Sequence, residues 1–201
     1  MTKRIITISR QYGSGGREIG ERVARQLGYT YYDQELIKRA AREGGLDEEL
    51  VKESGEGRHG VLSTLISYAN TVVGKDEDTL PLQDRMFLVH ARIIKQIADE
   101  GPCVIIGRSA EYFLAGRPEL LSIFIHADRD ARVRRVMQRN NLNEQEAEVR
   151  IRKTDKQRAV FYEQRTDQRW GKASNYHLSI SSSAFGIDDA VDLIVRIASR
   201  Y

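Results

Sequence analysis

The chain has a single cysteine, Cys103, in 201 residues. One cysteine rules out an internal disulfide and a cysteine-rich metal site, and it suits a reducing compartment. Its place beside an apolar run marks it as a packing residue. No apolar run approaches the ~18 residues of a membrane-spanning helix. Met1-Thr2-Lys3-Arg4 leads straight into a β-branched run and leaves no room for a signal peptide, so a cytoplasmic protein is expected. Internal repeats and low-complexity segments are also missing. Charge of one sign is scarce in total, with 32 Lys and Arg against 29 Asp and Glu for a net +3. Local charge is another matter, because arginines crowd between Arg129 and Arg169. Such a cluster serves a solvated helix face, the phosphates of a small ligand or a nucleic-acid backbone. Aromatics and base-reading motifs do not interleave with it, so nucleic acid is not the expected partner.

What is present is a soluble globular balance, 40% hydrophobic and 30% charged. The length suits one domain, residues 1–201, with small appendages. The chain is organised around Ile5-Ile6-Thr7-Ile8-Ser9-Arg10-Gln11-Tyr12-Gly13-Ser14-Gly15-Gly16-Arg17-Glu18-Ile19-Gly20. A β-branched run ends in glycines and passes into helical spacing, which reads as strand, phosphate loop and helix. Glycines allow positive φ and close approach, and the amides opening a helix point at an anion. The standard loop is G-x-x-x-x-G-K-[ST]. With Gly15 set on its second glycine, Arg10 falls on the first, Gly16 on the lysine and Arg17 on the hydroxyl position. Arg17 is then a candidate to replace the lysine from one residue away. The alternative is a glycine-rich turn before an ordinary surface helix.

Apolar or small residues at Ile19, Gly20, Val23, Ala24 and Leu27 predict a helix ended by Gly28. Tyr29 to Asp33 reads as a short strand or its approach, and Gln34 to Arg42 as a helix. This β-α-β-α rhythm belongs to a parallel sheet. Residues 43–84 read as an insertion that carries the amphipathic stripe Val61 to Val73. That stripe covers the core or meets a second copy of the chain to form a homo-oligomer. A helix over Arg85 to Asp99 is stopped by Gly101-Pro102, and Cys103 to Arg108 suits a central strand whose end opens on the loop's edge. Leu120 to Ala127 is a further strand, with Asp128 capping a helix over Asp130 to Arg139. Asn143 with Glu146 forms a capping box for a long basic helix, on which Arg152, Asp155, Arg158 and Tyr162 share a side. Tyr176 to Ser181 is the last strand and Ile187 to Tyr201 the closing helix.

With these residues in view, the chain resembles the phosphate-loop nucleoside monophosphate kinases, and most closely the cytidylate kinase-like family. The most specific part is residues 6–20. Tyr31-Tyr32-Asp33, Gly107-Arg108, Arg132 with Arg134-Arg135, and Asp155-Lys156-Gln157-Arg158-Ala159 support it. The resemblance implies an α/β, three-layer phosphate-loop NTPase fold: a central parallel sheet with helices on both faces, a helical acceptor-side insertion at 43–84 and a lid at 140–172. It implies ATP and Mg2+ as cofactors, held through Gly13, Ser14, Gly15, Gly16, Arg17, Glu18 and Arg135. It implies a nucleoside monophosphate, CMP or dCMP foremost, bound by Asp33, Arg39, Arg85 and Arg108. Arg17, Arg152, Asp155 and Arg158 become the catalytic set. Arginines suit a transfer whose transition state spreads charge over equatorial phosphate oxygens. Asp33 or Glu18 could hold the metal, though each serves equally as a cap or helix-start charge.

The chain also departs from the family pattern. Ile106 and Ser109 stand where conventional cytidylate kinases carry aspartates, Gln34-Glu35 replaces a serine-glycine turn, and the loop lysine is gone. Three readings follow: an ATP-dependent kinase, a nucleotide-binding protein of this fold that lacks turnover or takes another small acceptor, and an oligomeric or nucleic-acid-interacting protein.

Overall fold

A computed structural model describes residues 4–33 and 82–200 of the protein, with the backbone alone for 82–86. The helix expected over Gln34 to Arg42, with Arg39, and the stripe Val61 to Val73 lie outside the described residues, as does nearly all of the insertion.

Two compact units make up the chain: Met1–Tyr31 with Pro102–Tyr201, and Tyr32–Gly101. The described strands form one five-stranded sheet in the order β2-β3-β1-β4-β5. They are β1 (Ile5–Arg10), β2 (Thr30–Tyr32), β3 (Cys103–Ile106), β4 (Leu120–His126) and β5 (Leu178–Ser181). β1 pairs in parallel with β3, Ile5 opposite Cys103, and with β4, Ile5 opposite Leu120. β4 pairs in parallel with β5, Ile123 opposite Leu178. The expected α/β fold with a central parallel sheet is therefore the fold observed.

Alternation along the strands builds the core. Ile6 and Ile8 of β1, Val104 and Ile106 of β3, and Leu121, Ile123 and Ile125 of β4 all point to one face. There they meet α1 (Gly16–Leu27) through Ile19, Val23 and Ala24, and α6 (Ser182–Arg200) through Ala190, Val191, Ile194 and Ala198. On β4's other face, Phe124 packs edge-on against Trp170 at 5.4 Å and at a tilt against Tyr176 at 5.1 Å. In the second unit, α2 (Leu82–Glu100) buries Val89, Ile93, Ile94 and Ile97 along one stripe.

α4 (Arg129–Asn140) and α5 (Glu144–Thr166) pack on each other through Val133, Val136, Ala147 and Ile151. α5 starts where the sequence expects it. Asn143 Oδ1 accepts the Glu146 N–H at 2.9 Å, and the Asn143 N–H donates to the Glu146 carboxylate at 2.9 Å.

Several boundaries differ for local reasons. Asp128 occupies the N-cap position of α4, but its side chain makes no capping bond; its N–H is donated to Ser183 Oγ at 2.9 Å. β3 stops at Ile106 because Gly107, Arg108 and Ser109 take φ of 74°, 60° and 55°. A four-residue helix, α3 (Ala110–Phe113), follows that turn and is too short to leave a periodic trace in sequence. The closing helix begins at Ser182 and breaks at Gly186, so only its second part matches the expected Ile187 start.

Gly20 lets α1 lie directly on the sheet. A Cβ there would collide with Ile106 Cδ1 and stand 3.2 Å from Ile8 Cδ1, and both isoleucines are fully buried. Gly20→Ala is therefore expected to cost about 1–3 kcal/mol by overpacking. Ile106→Val in the same chain should recover part of that loss. Chemical denaturation of the two variants checks both, and an unchanged Gly20→Ala midpoint would contradict the packing described.

Candidate active site

The carboxyl end of β1 runs into a loop held on three sides. The Gln11 N–H bonds the Ile125 carbonyl at 3.0 Å, and Gln11 Oε1 accepts the Ala127 N–H at 3.2 Å, so the loop departs along β4. Ser14 is buried: its hydroxyl donates to the Gln11 carbonyl at 2.8 Å, and its own carbonyl accepts Ser182 Oγ at 2.5 Å. Gly13, at φ 80°, lies so close to α4 that a Cβ would sit 2.8 Å from the Arg132 carbonyl oxygen. Gly15, also at φ 80°, caps α1 without any side-chain bond. The first intrahelical bond runs from the Ile19 N–H to the Gly15 carbonyl at 3.0 Å. The amides of Gly16, Arg17 and Glu18 thus open α1 with no acceptor inside the helix, the arrangement that receives an anion.

Arginines gather on this loop from α4 and α5, with one carboxylate organising them. Asp155 Oδ1 accepts the Tyr12 N–H at 2.8 Å, and Oδ2 accepts Arg132 Nη1 at 2.6 Å. Arg158 Nη1 lies 3.9 Å from Asp155, donates to the Arg10 carbonyl at 2.8 Å and stands 5.6 Å over the Tyr12 ring. These side chains are 12%, 17% and 22% exposed for Arg132, Asp155 and Arg158. Burial pushes the Asp155 carboxyl above its ordinary value, while the Tyr12 amide and then Arg132 and Arg158 pull it back. Burial lowers Arg158, and Asp155 opposes this. Arg135 adds a cation, with Nη1 3.4 Å from both the Gly13 carbonyl and Ser182 Oγ.

A second cluster sits at the ends of β1 and β3. Three consecutive left-handed residues present Arg108, at about 1–2 kcal/mol of strain for each that is not glycine. Such strain gathers at functional sites. The Arg108 guanidinium lies 6.0 Å from the Phe161 ring of α5. Behind it, the buried Glu111 of α3 accepts Ser9 Oγ at 2.9 Å. Burial raises the Glu111 carboxyl, against the pull of its own amide, the Ser9 and Tyr176 hydroxyls and the Arg10 charge. Arg10 itself is brought down to about 9, first by burial and next by the charge of Arg158, with Tyr31 opposing, Arg108 adding to the fall and Glu111 opposing.

Of the residues expected at the site, Gly13, Ser14, Gly15, Gly16, Arg135, Asp155 and Arg158 meet around the loop. Arg108 lies at the adjoining strand end. Arg17 and Glu18 are exposed in the first turn of α1, with Glu18 3.7 Å from Arg22. Arg152 is exposed on α5, outside the Asp155 network. Asp33 follows β2 and is half-buried, Arg85 lies in α2 among the residues with backbone alone, and Arg39 lies outside the described residues. Sequence reasoning overlooked Arg10, Tyr12, Glu111 and Ser182 as site residues. Only Arg10 carried a signal, a bulky cation at the first glycine position of the loop.

The donor set suits phosphate well and a metal sparingly. Ser14's hydroxyl is committed to the Gln11 carbonyl, and no group of three or more His, Cys, Asp or Glu occurs among the described residues. Mg2+ keeps waters and phosphate oxygens and needs one or two carboxylates, for which Glu18 in the first turn of α1 is a candidate. Among the described residues, no helix is long and apolar enough to cross a membrane.

A family model described as the cytidylate kinase-like family matches residues 5–184. No curated protein matches the chain. Among solved structures, an uncharacterized protein from Eubacterium ventriosum ATCC 27560 is 26% identical, with 96% of each chain covered and a TM-score of 0.72. A shikimate kinase from Bacteroides thetaiotaomicron is 15% identical, with 96% of each chain covered and a TM-score of 0.53. A shikimate kinase from Acinetobacter baumannii, in complex with shikimate, is 14% identical over 96% of this chain and 91% of that one, at a TM-score of 0.52. The two shikimate kinases share the fold.

Glu111 makes stability depend on pH in a definite direction. Its folded value is raised above 4.5, so the native state holds the proton longer than the unfolded chain, and stability falls as pH climbs from 4.5 through the folded value. Glu111→Gln removes that term. The variant should gain on wild type as pH rises from below 4.5 to neutral, read as the difference between denaturation curves across pH. A difference that stays constant would contradict a carboxyl raised by burial.

Proposed function

The chain belongs to the cytidylate kinase-like family, and from that premise we propose that it is an ATP-dependent kinase whose acceptor is a nucleoside monophosphate, CMP or dCMP foremost. The observation that carries this reading is the meeting of the α1 N-terminus, behind the left-handed Gly15, with Arg132, Arg135 and Arg158 at the loop after β1. In the transfer, the bond from the γ-phosphorus to the β–γ bridging oxygen breaks and a bond to an acceptor phosphate oxygen forms. Charge then spreads over three equatorial oxygens, and fixed positive groups lower the barrier.

Each residue takes a role by position. The amides of Gly15 to Glu18 bind the donor phosphates, and Arg135 backs the loop from α4. Phe185, 57% exposed and two residues before the Ile187 that abuts Gly15, offers a stacking surface for the donor base. Arg108, with Asp33, Arg39 and Arg85, binds the acceptor. Arg158 and Asp155 belong to a lid over 140–172 that excludes water and aligns the phosphates, with Arg152 reaching in when substrate is present. Magnesium, held by Glu18 or Asp33 and the phosphates, would neutralise charge on the transferring group.

A second reading has its own support. Gly16 stands at the lysine position and Ile106 at an acidic one, which suits a nucleotide-binding protein without turnover or a kinase for another small acceptor. ADP formation from ATP and magnesium, against CMP, dCMP, UMP, AMP, GMP and non-nucleotide acceptors, separates the two. Turnover selective for CMP or dCMP supports the first reading; ATP binding with none across the panel supports the second.

Within the kinase reading, Arg158→Ala is expected to slow turnover by about 100-fold or more, the usual cost of losing one transition-state donor. Its ATP affinity should change far less. A variant with normal turnover and weakened ATP binding would reverse the role given to Arg158.

A further inference from the structure

The phosphate loop has no lysine, yet a cation reaches the same edge of the sheet by another route. Arg10 is the last residue of β1, and its stem passes beside Gly16. A Cβ at position 16 would stand 2.7 Å from Arg10 Cβ, 3.1 Å from Arg10 Cγ and 3.2 Å from Ile125 Cβ. Position 16 therefore has no room for a lysine, or for any side chain, while Arg10 lies where it does. The far end of Arg10 meets a second glycine. A Cβ at Gly107 would overlap Arg10 Nη1 and stand 3.2 Å from Arg10 Cζ. One arginine side chain thus runs with its stem past the glycine at the lysine position and its guanidinium against the glycine that follows β3. It is enclosed, yet Arg10 keeps part of its surface to solvent.

We infer that Arg10 supplies the cation of the phosphate site in place of the loop lysine, with Gly16 and Gly107 as the clearances that let it in. This rests on the reading of the loop as a donor-phosphate site. Arg158 and Arg108 flank Arg10 with like charge, and Glu111 provides the buried counter-charge. Burial and these like charges disfavour the Arg10 cation in the empty site, so a polyanion entering beside it is favoured. Arg17 is placed differently, being exposed in the first turn of α1 where its amide serves the loop.

The test measures binding of ATP and of inorganic tripolyphosphate to the full chain by calorimetry in chelator, with adenosine as the uncharged control. Arg10→Met should weaken both polyphosphates by about tenfold to a hundredfold, the worth of one charge-assisted bond, and leave adenosine unchanged. Arg17→Met should stay within about threefold of wild type on the same scale. Arg10→Gln also removes the charge while keeping a polar end, so it should reproduce the Arg10→Met loss, and it decides the matter if Arg10→Met does not fold. Arg10→Gly combined with Gly16→Lys moves the cation to the standard position and should restore polyphosphate affinity. Polyphosphate binding by Arg10→Met or Arg10→Gln equal to wild type would overturn the inference alone. Failure of wild type to bind either polyphosphate would overturn the donor-site reading and this inference together.

Discussion

The side chain of Arg10 leaves β1 where the sheet turns into the phosphate loop, and its surroundings are shaped by the space and charge it requires. Gly16 and Gly107 give up their side chains to its stem and its guanidinium. Glu111, far along the chain, is carried into the same interior by a short helix and is held by Ser9 from the neighbouring position on β1. A buried cation without such a partner would be costly. The left-handed turn at Gly107 to Ser109 ends β3 beside that guanidinium and leads at once into α3, which carries Glu111.

Asp155 organises the other half of the site. It accepts a loop amide from Tyr12 and a guanidinium from Arg132, so a single carboxylate joins α5, α4 and the loop. Such a joint is worth little on a surface, but here the partners are mostly covered and removing one would strand the others. The joint also decides which groups remain for a ligand. The Tyr12 amide is committed to Asp155, whereas the amides opening α1 have no acceptor inside the helix, the arrangement that suits an anion at the helix end.

Much of the architecture was legible because its elements are long and regular. The β-branched run at Ile5, the stripe from Ile19 to Leu27 and the Asn143–Glu146 box each contain their own signal, and each forms as read. Short or context-bound features were not. α3 spans four residues, β5 starts at Leu178 rather than Tyr176, and Asp128 caps α4 by position while Ser183 takes up its amide. In the site, Asp155 and Arg158 stood out by helical spacing. Glu111 and Arg10 did not, because Glu111 lies 102 residues from Ser9 and Arg158 lies 148 residues from the Arg10 carbonyl it binds.

The order of elements, the parallel sheet and the place of the phosphate loop were determined by local sequence, because hydrophobic period, glycine and helix caps act within a few residues of chain. Where the Arg10 side chain runs was decided only in three dimensions. Spacing along the chain makes Arg17 the natural substitute for a missing lysine, but whether a side chain points into a cleft depends on what fills the space around it. That space is set by residues from β1, the loop and the end of β3 meeting at one edge of the sheet, which no single stretch of sequence contains.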